Sequence, residues 1–134
     1  MTQVTAYTNE GRYKCLEDLP IDSAELSLGY CGWERCYPGH RFGPNKRTYY
    51  VLHIITNGKG KLEKNGEVFH LTTGDAFLLC PEEEAWYEAD KKEPWAYAWI
   101  GLYGYKVKKV MQYAGFSKEK SIRSLKCTAL LKSY

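Results

Sequence analysis

KGKLEKNGEVFHL, residues 59–71, decides the fold class. Asn65-Gly66 stands between two runs in which polar and apolar residues alternate. A period of two marks a strand with one buried face. Asn and Gly both tolerate a positive φ, which a tight two-residue hairpin turn requires. The stretch therefore reads as an antiparallel hairpin.

The same pattern repeats on either side. Upstream, residues 49–56 (YYVLHIIT) are β-branched and aromatic and end at the turn signal Asn57-Gly58. Residues 37–44 (YPGHRFGP) hold two prolines and two glycines and read as a turn-rich loop. Residues 24–36 (AELSLGYCGWERC) read as a strand, and residues 1–20 as an irregular N-terminal arm ending at Pro20. Downstream, Thr73-Gly74-Asp75 makes a turn, residues 76–80 an apolar strand, and Pro81 its end. Residues 85–89 return, and Pro94 precedes a last aromatic strand at residues 95–103. About seven closely spaced strands with no helix between them predict an antiparallel sandwich or barrel. After Gly104 the period changes. Val107, Val110, Met111 and Ala114 recur at steps of three and four, which predicts an amphipathic helix over residues 105–114 with Gly115 as its stop. The remainder, SIRSLKCTALLKSY, reads as a strand and then the first turns of a helix, as in a chain cut short.

Composition narrows the function. The chain has 134 residues, enough for one domain with a real core. Tyr, Trp and Phe make up 15% of it, an excess that suits both a β core and a pocket that stacks on flat or sugar-like ligands. The net charge of +3 is mild for a nucleic-acid binder. The basic residues Lys106, Lys108, Lys109, Lys118, Lys120, Arg123, Lys126 and Lys132 crowd the end of the chain and read as a solvated face. No run is long and apolar enough for a membrane span, and residues 1–9 lack an apolar signal core, so a cytoplasmic location is expected. Five cysteines without a CxxC indicate neither a disulfide framework nor a zinc knuckle. Cys31 and Cys36 read as strand cysteines rather than a redox pair.

Signatures of common chemistry are missing: GxGxxG, P-loop, GxSxG and HExxH do not occur. His40, His53 and His70 are dispersed, and no metal or other cofactor is expected. Asp75, Glu83, Glu88 and Asp90 offer carboxylates, but spacing alone does not pair them. No catalytic residue is assigned.

The pieces PGHRFGP (38–44), Arg47, YYVLHIITNGKGKL (49–62), NGEVFHLTTGDAFLLCP (65–81), WYEAD (86–90) and PWAYAWIGLYG (94–104) resemble, in order and spacing, the N-terminal effector-binding domain of AraC-family transcription regulators. The resemblance covers about half the chain. It implies a mostly β fold: a small cupin-like antiparallel β-barrel (a double-stranded β-helix) over residues 21–104, then a C-terminal α-helix in residues 105–134. That last segment would begin a dimerisation region. It implies effector sensing, with a sugar as the effector, a homodimer in the full-length protein, and no enzymatic activity. Regulators of this type read DNA through later helix-turn-helix units, and the chain stops at Tyr134. Specific nucleic-acid binding by this chain alone is therefore not expected.

The chain departs from the wider cupin pattern where enzymes of that fold hold a metal. Gly74 opens the second motif, but Cys80, Glu82 and Ala85 stand where Pro, Gly and His are usual, and no HxH occurs. One imidazole cannot hold an open metal site.

A sugar offers hydroxyls at its edge and C–H faces above and below, so its pocket needs aromatic platforms and a few fixed polar groups. If Ala85 points inward like its cupin counterpart, Tyr87 and Ala89 follow by alternation, and Trp86 faces out or under the helix. Trp95, Tyr97 and Trp99 share one face of the last strand. The resemblance places ligand contacts at Tyr87, Tyr97 and Trp99. Arg47 can donate to two sugar oxygens, and His40 and Phe42 lie in the loop near the expected mouth. Two other readings stay open: a metal-independent cupin enzyme acting on a small sugar or acid, using Glu88 or His53, and a dimerisation module whose barrel is filled by its own side chains.

Overall fold

The computed structural model describes residues 6–17 and 19–125. Among them are eleven strands and one helix: β1 (Ala6–Asn9), β2 (Tyr13–Glu17), β3 (Ser27–Arg35), β4 (Arg41–Asn45), β5 (Tyr50–Asn57), β6 (Lys59–Lys64), β7 (Glu67–Thr72), β8 (Asp75–Leu79), β9 (Ala85–Ala89), β10 (Ala96–Tyr103), α1 (Val107–Tyr113) and β11 (Ile122–Ser124). All strand pairings are antiparallel. A seven-stranded sheet in the order β1-β2-β3-β10-β5-β8-β11 faces a four-stranded sheet in the order β4-β9-β6-β7. This is the antiparallel barrel expected from the alternation.

Asn65 and Gly66 take φ values of 53° and 77°, and Lys64 pairs directly with Glu67. Two central residues at positive φ match the twist of the strands they join. The burial of β9 alternates as expected: Ala85, Tyr87 and Ala89 are inside, while Trp86 and Glu88 face out. Trp86 does not go under the helix. Arg41 stacks on its ring at 4.0 Å, with Lys61 nearby.

Three readings are corrected. Residues 6–17 are not an irregular arm but form a hairpin, because Tyr13 to Leu16 pair with β3 and extend the large sheet. The turn-rich loop contains a strand, β4, whose register with β9 is broken between Phe42 and Asn45. Helix α1 is shorter than residues 105–114, and Val107 and Met111 are buried while Val110 is exposed. Its end is as expected. Gly115 has φ +91°, its N–H donates to the Gln112 carbonyl, and the Phe116 N–H donates to that of Met111. This pairing caps the last carbonyls, and Met111 and Phe116 pack in one cluster, the apolar contact that accompanies it. Strand β11 falls where a strand was expected, and the helical turns read after it lie outside the described residues.

The core divides in two. Val51, Ile55, Leu62, Leu71, Phe77, Leu79 and Trp95 pack between the sheets. Ala76, Leu78 and Cys80 pack on the outer side of the large sheet, under Val107, Met111 and Phe116. Strand β8 is buried on both faces for that reason. No helix among the described residues is long and apolar enough to cross a membrane.

Candidate functional site

Inside the barrel lies an open cavity of about 510 Å³. The large sheet supplies most of its wall, through Tyr13, Cys15 and Glu17 of β2, Tyr30 and Glu34 of β3, Val51 and His53 of β5, and Tyr97, Trp99 and Tyr103 of β10. The small sheet contributes only Phe42 and Tyr87, and Arg47 and Tyr49 come from the segment leading into β5.

Register explains how these side chains meet. Across the large sheet, Gly32, Trp99, His53 and Phe77 form one row through β3, β10, β5 and β8. Across the small sheet, Phe42, Tyr87, Leu62 and Phe69 form another. Residues on one face of neighbouring strands touch, so each row is a band of contacts. Gly32 is needed for the first row, because a Cβ there would collide with the Trp99 ring. The Trp99 indole thus lies over backbone, with Tyr13 at 5.9 Å and Tyr97 at 5.7 Å between ring centroids. The register of β10 skips Gly29, so Gly29 and Tyr30 both line the wall.

Of the six residues singled out from sequence, Phe42, Arg47, Tyr87, Tyr97 and Trp99 line this one cavity. His40 stands behind them, stacked on Phe42 at 4.7 Å, and Phe42 stacks in turn on Tyr87 at 5.5 Å. Burial raises the Tyr87 hydroxyl to about 12, against the pull of the nearby Arg47 cation. Burial also raises the Tyr97 hydroxyl, with its neighbours Tyr87, Cys36 and Glu34 adding to the effect. Both phenols stay protonated at neutral pH and can donate.

Several wall residues were not singled out. Tyr13, Cys15 and Glu17 lie in the segment read as irregular. Glu34 lies in a strand read without a role. Its side chain is buried; Oε2 sits 3.7 Å from Arg12 Nη2, and Oε1 has no hydrogen-bond partner. His53, a candidate in sequence only for the enzyme reading, also lines the wall. It is 2% exposed, stacked on Phe77 at 4.5 Å, with the edges of Tyr87 and Tyr97 at 4.9 and 5.2 Å. Burial, with a contribution from Arg47, lowers its pKa to about 3, and its Nδ1 has no partner. The signal available in sequence was parity: Glu34 lies two residues from Gly32, and His53 two from Val51.

Glu88 does not lie in the barrel. It sits on the outer face of β9, 3.1 Å from Arg41 and 3.4 Å from Lys61. Slight burial pushes its carboxyl up, but the hydrogen bonds from Arg41 and Lys61 outweigh this and hold it below the ordinary range. An outward, paired carboxylate cannot act as an acid in the cavity.

The metal site usual in enzymes of this fold does not fit this chain. Ala85 points inward where a ligand would stand. Among the described residues, the donors that approach one another are Glu34, Cys36 and His40, within 4.8 Å. They are poorly matched to a cation. Burial first, then the Glu34 charge, raises the Cys36 thiol to about 12, and the Arg12 guanidinium already lies on Glu34. A metal-binding cysteine must be a thiolate.

Comparison with known proteins shows the family to which the chain belongs. The chain is 39% identical over 101 residues to the Msm operon regulatory protein of Streptococcus mutans, a match covering 75% of this chain and 36% of that one. It is 38% identical over 94 residues to the raffinose operon transcriptional regulatory protein of Pediococcus pentosaceus, covering 69% and 33%. The lactose operon transcription activator of Staphylococcus xylosus is 36% identical over 89 residues, covering 66% and 31%. The matches span about a third of those relatives' length. Among solved structures, YhaK from Escherichia coli superposes with a TM-score of 0.60 at 17% identity, over 92% of this chain and 52% of that one. A cupin protein from Bacteroides fragilis gives 0.55 at 14% identity, over 75% and 87%. These likenesses establish the cupin fold. The model of the AraC-like ligand binding domain matches residues 27–132, which hold every strand of the barrel from β3 onward. The chain belongs to the AraC-like ligand binding domain family.

Proposed function

We propose that this chain is the effector-sensing domain of an AraC-type regulator of a sugar-utilisation operon, and that the effector is a sugar bound in the barrel cavity. The observation that carries the reading is the cavity wall itself: Tyr87, Tyr97 and Trp99 converge with Arg47 around about 510 Å³. Trp99 is the stacking platform, since its large ring lines the cavity and is held against Gly32 between Tyr13 and Tyr97. Arg47 donates to hydroxyl oxygens, and Phe42, backed by His40, forms the lip. The names of the relatives support a sugar, because they regulate Msm, raffinose and lactose operons.

The domain works by binding rather than by catalysis. In support, the carboxylate Glu88 faces out of the barrel in ion pairs with Arg41 and Lys61, and the donor cluster of Glu34, Cys36 and His40 suits a metal poorly. It acts in the cytoplasm, where an operon regulator meets both its sugar and DNA. Residues from 105 onward lead into the dimerisation region of the full-length regulator, which is a homodimer. The described residues contain a single helix of seven residues, too short to read a major groove. Exposed Lys106, Lys108, Lys109, Lys118, Lys120 and Arg123 give this chain at most weak, salt-sensitive attraction to DNA.

The test is a melting-temperature screen of the chain against neutral mono-, di- and trisaccharides. A sugar at a hundred times its dissociation constant stabilises by about 2.7 kcal/mol. A hit whose stabilisation is lost in Trp99→Ala supports the reading. No hit across the panel, or a hit that Trp99→Ala leaves intact, overturns it.

A further inference from the structure

The site described so far leaves two buried polar groups on the cavity wall unused. Glu34 is 5% exposed and its Oε1 meets no partner; His53 is 2% exposed and its Nδ1 meets none. A buried polar atom without a partner costs roughly 1–3 kcal/mol, more when charged. Two of them on the wall of one cavity mark where a bound molecule supplies the missing bonds. We propose that Glu34, assisted by His53, is the group that sets the effector's charge: it accepts hydrogen bonds from the hydroxyls of an uncharged sugar and excludes phosphorylated or acidic ones. This rests on the sugar reading above and deepens it.

A carboxylate only accepts, and a guanidinium only donates. The cavity presents both, Glu34 on β3 and Arg47 ahead of β5. A hydroxyl donates through its hydrogen and accepts through its lone pairs, so a polyol satisfies both walls with one functional group. A phosphate monoester brings oxygens that only accept. It would suit Arg47 but set a like charge against Glu34. Burial raises the Glu34 carboxyl, and the charges of His40 and Arg12 pull it back down; Arg12 approaches only Oε2, at 3.7 Å, stacks on Tyr37, and leaves Oε1 open. Glu17 adds a second carboxylate to the wall, so Arg47 is outnumbered among the charged groups there. His53 carries no charge at neutral pH and adds none to attract an anion. Instead it offers a neutral, unpartnered nitrogen on a ring that stands edge-on to those of Tyr87 and Tyr97.

The experiment measures binding of galactose, lactose, raffinose and galactose 6-phosphate to the chain by calorimetry, for the parent and for Glu34→Gln and His53→Gln. Glu34→Gln keeps the shape and one acceptor oxygen but removes the charge. The expected result is that the parent binds a neutral sugar and binds galactose 6-phosphate more weakly than galactose. Glu34→Gln should lose about tenfold or more in affinity for the neutral sugar, the scale of a hydrogen bond to a charged group. It should also narrow the gap between galactose and its phosphate, a change that a merely structural residue would not cause. If Glu34→Gln does not fold, the parent's ranking of galactose against galactose 6-phosphate decides alone. Tighter binding of the phosphate, or a Glu34→Gln affinity within about twofold of the parent, overturns the assignment while leaving the sugar reading in place. Failure of the parent to bind galactose 6-phosphate or any neutral sugar of the wider mono-, di- and trisaccharide panel removes both.

Discussion

Trp95 and Trp99 stand four residues apart, share a face in the strand pattern, and meet opposite surroundings. Trp95 is 0% exposed, stacked on Phe77 at 6.2 Å and packed against Gly60, where a Cβ would strike its ring. Trp99 is half-buried and looks into the cavity, with Tyr13 and Tyr97 beside it. The difference comes from what lies opposite. Leu62 and Leu71, from β6 and β7 of the small sheet, join Trp95 in the packed core. Around Trp99 the large sheet outnumbers the small one, and β2 and β3 line space rather than core. One side of the barrel therefore holds the fold and the other is left open for chemistry.

The sharpest way to break this comparison is to truncate each tryptophan. Trp95→Ala should lose about 3–5 kcal/mol of stability, the usual cost of emptying an aromatic site that cannot collapse. Trp99→Ala should cost clearly less in a denaturant melt and instead remove sugar binding. Equal losses of stability would show that the two sides are not distinct. A smaller effect probes the packed side from beneath. Gly60→Ala drives a methyl into the Trp95 ring and the Glu88 carbonyl, and should destabilise by about 1–3 kcal/mol without touching the cavity.

His53 sits at the seam between the two sides and titrates accordingly. Its folded pKa of about 3 lies below the ordinary 6.5, so between those values the unfolded chain holds the extra proton. Stability from this group is fully present above pH 6.5 and is lost as pH falls toward 3, by at most about 1.4 kcal/mol per pH unit. Glu34, raised by its burial, acts in the opposite sense in the acid part of that range. The difference between the parent and His53→Gln isolates the histidine: urea melts from pH 7 to 4 should show a shallower decline in the variant. Parallel declines would mean that His53 is not held neutral. The smallest expected effect lies on the open side. Tyr97→Phe should weaken sugar binding by roughly 0.5–1.5 kcal/mol while barely changing the apo melt. A large change in the apo melt would place that hydroxyl, beside Cys36, in the core rather than the site.

The aromatic members of the wall were legible in sequence because they sit on strands with clear parity. Tyr87 follows from Ala85, and Trp99 from Tyr97, by steps of two. Tyr13, Glu34 and His53 were not legible as wall. Tyr13 lies in a stretch without alternation, and its pairing with Glu34 across β2 and β3 is a tertiary event. A buried carboxylate and a buried neutral histidine look like any polar strand residue until the surrounding rings are in place.

What the sequence determined by itself is the set of local geometries. The Asn65-Gly66 hairpin, the inward parity of Ala85, Tyr87 and Ala89, and the helix stop at Gly115 each depend on a few neighbouring residues and their allowed φ values. Tertiary structure alone decided three further things: that residues 6–17 join the sheet, that Glu34 and His53 line one cavity, and that Trp95 is fully buried while Trp99 is only half-buried. Burial belongs to a pair of facing surfaces, and a strand pattern records only one of them.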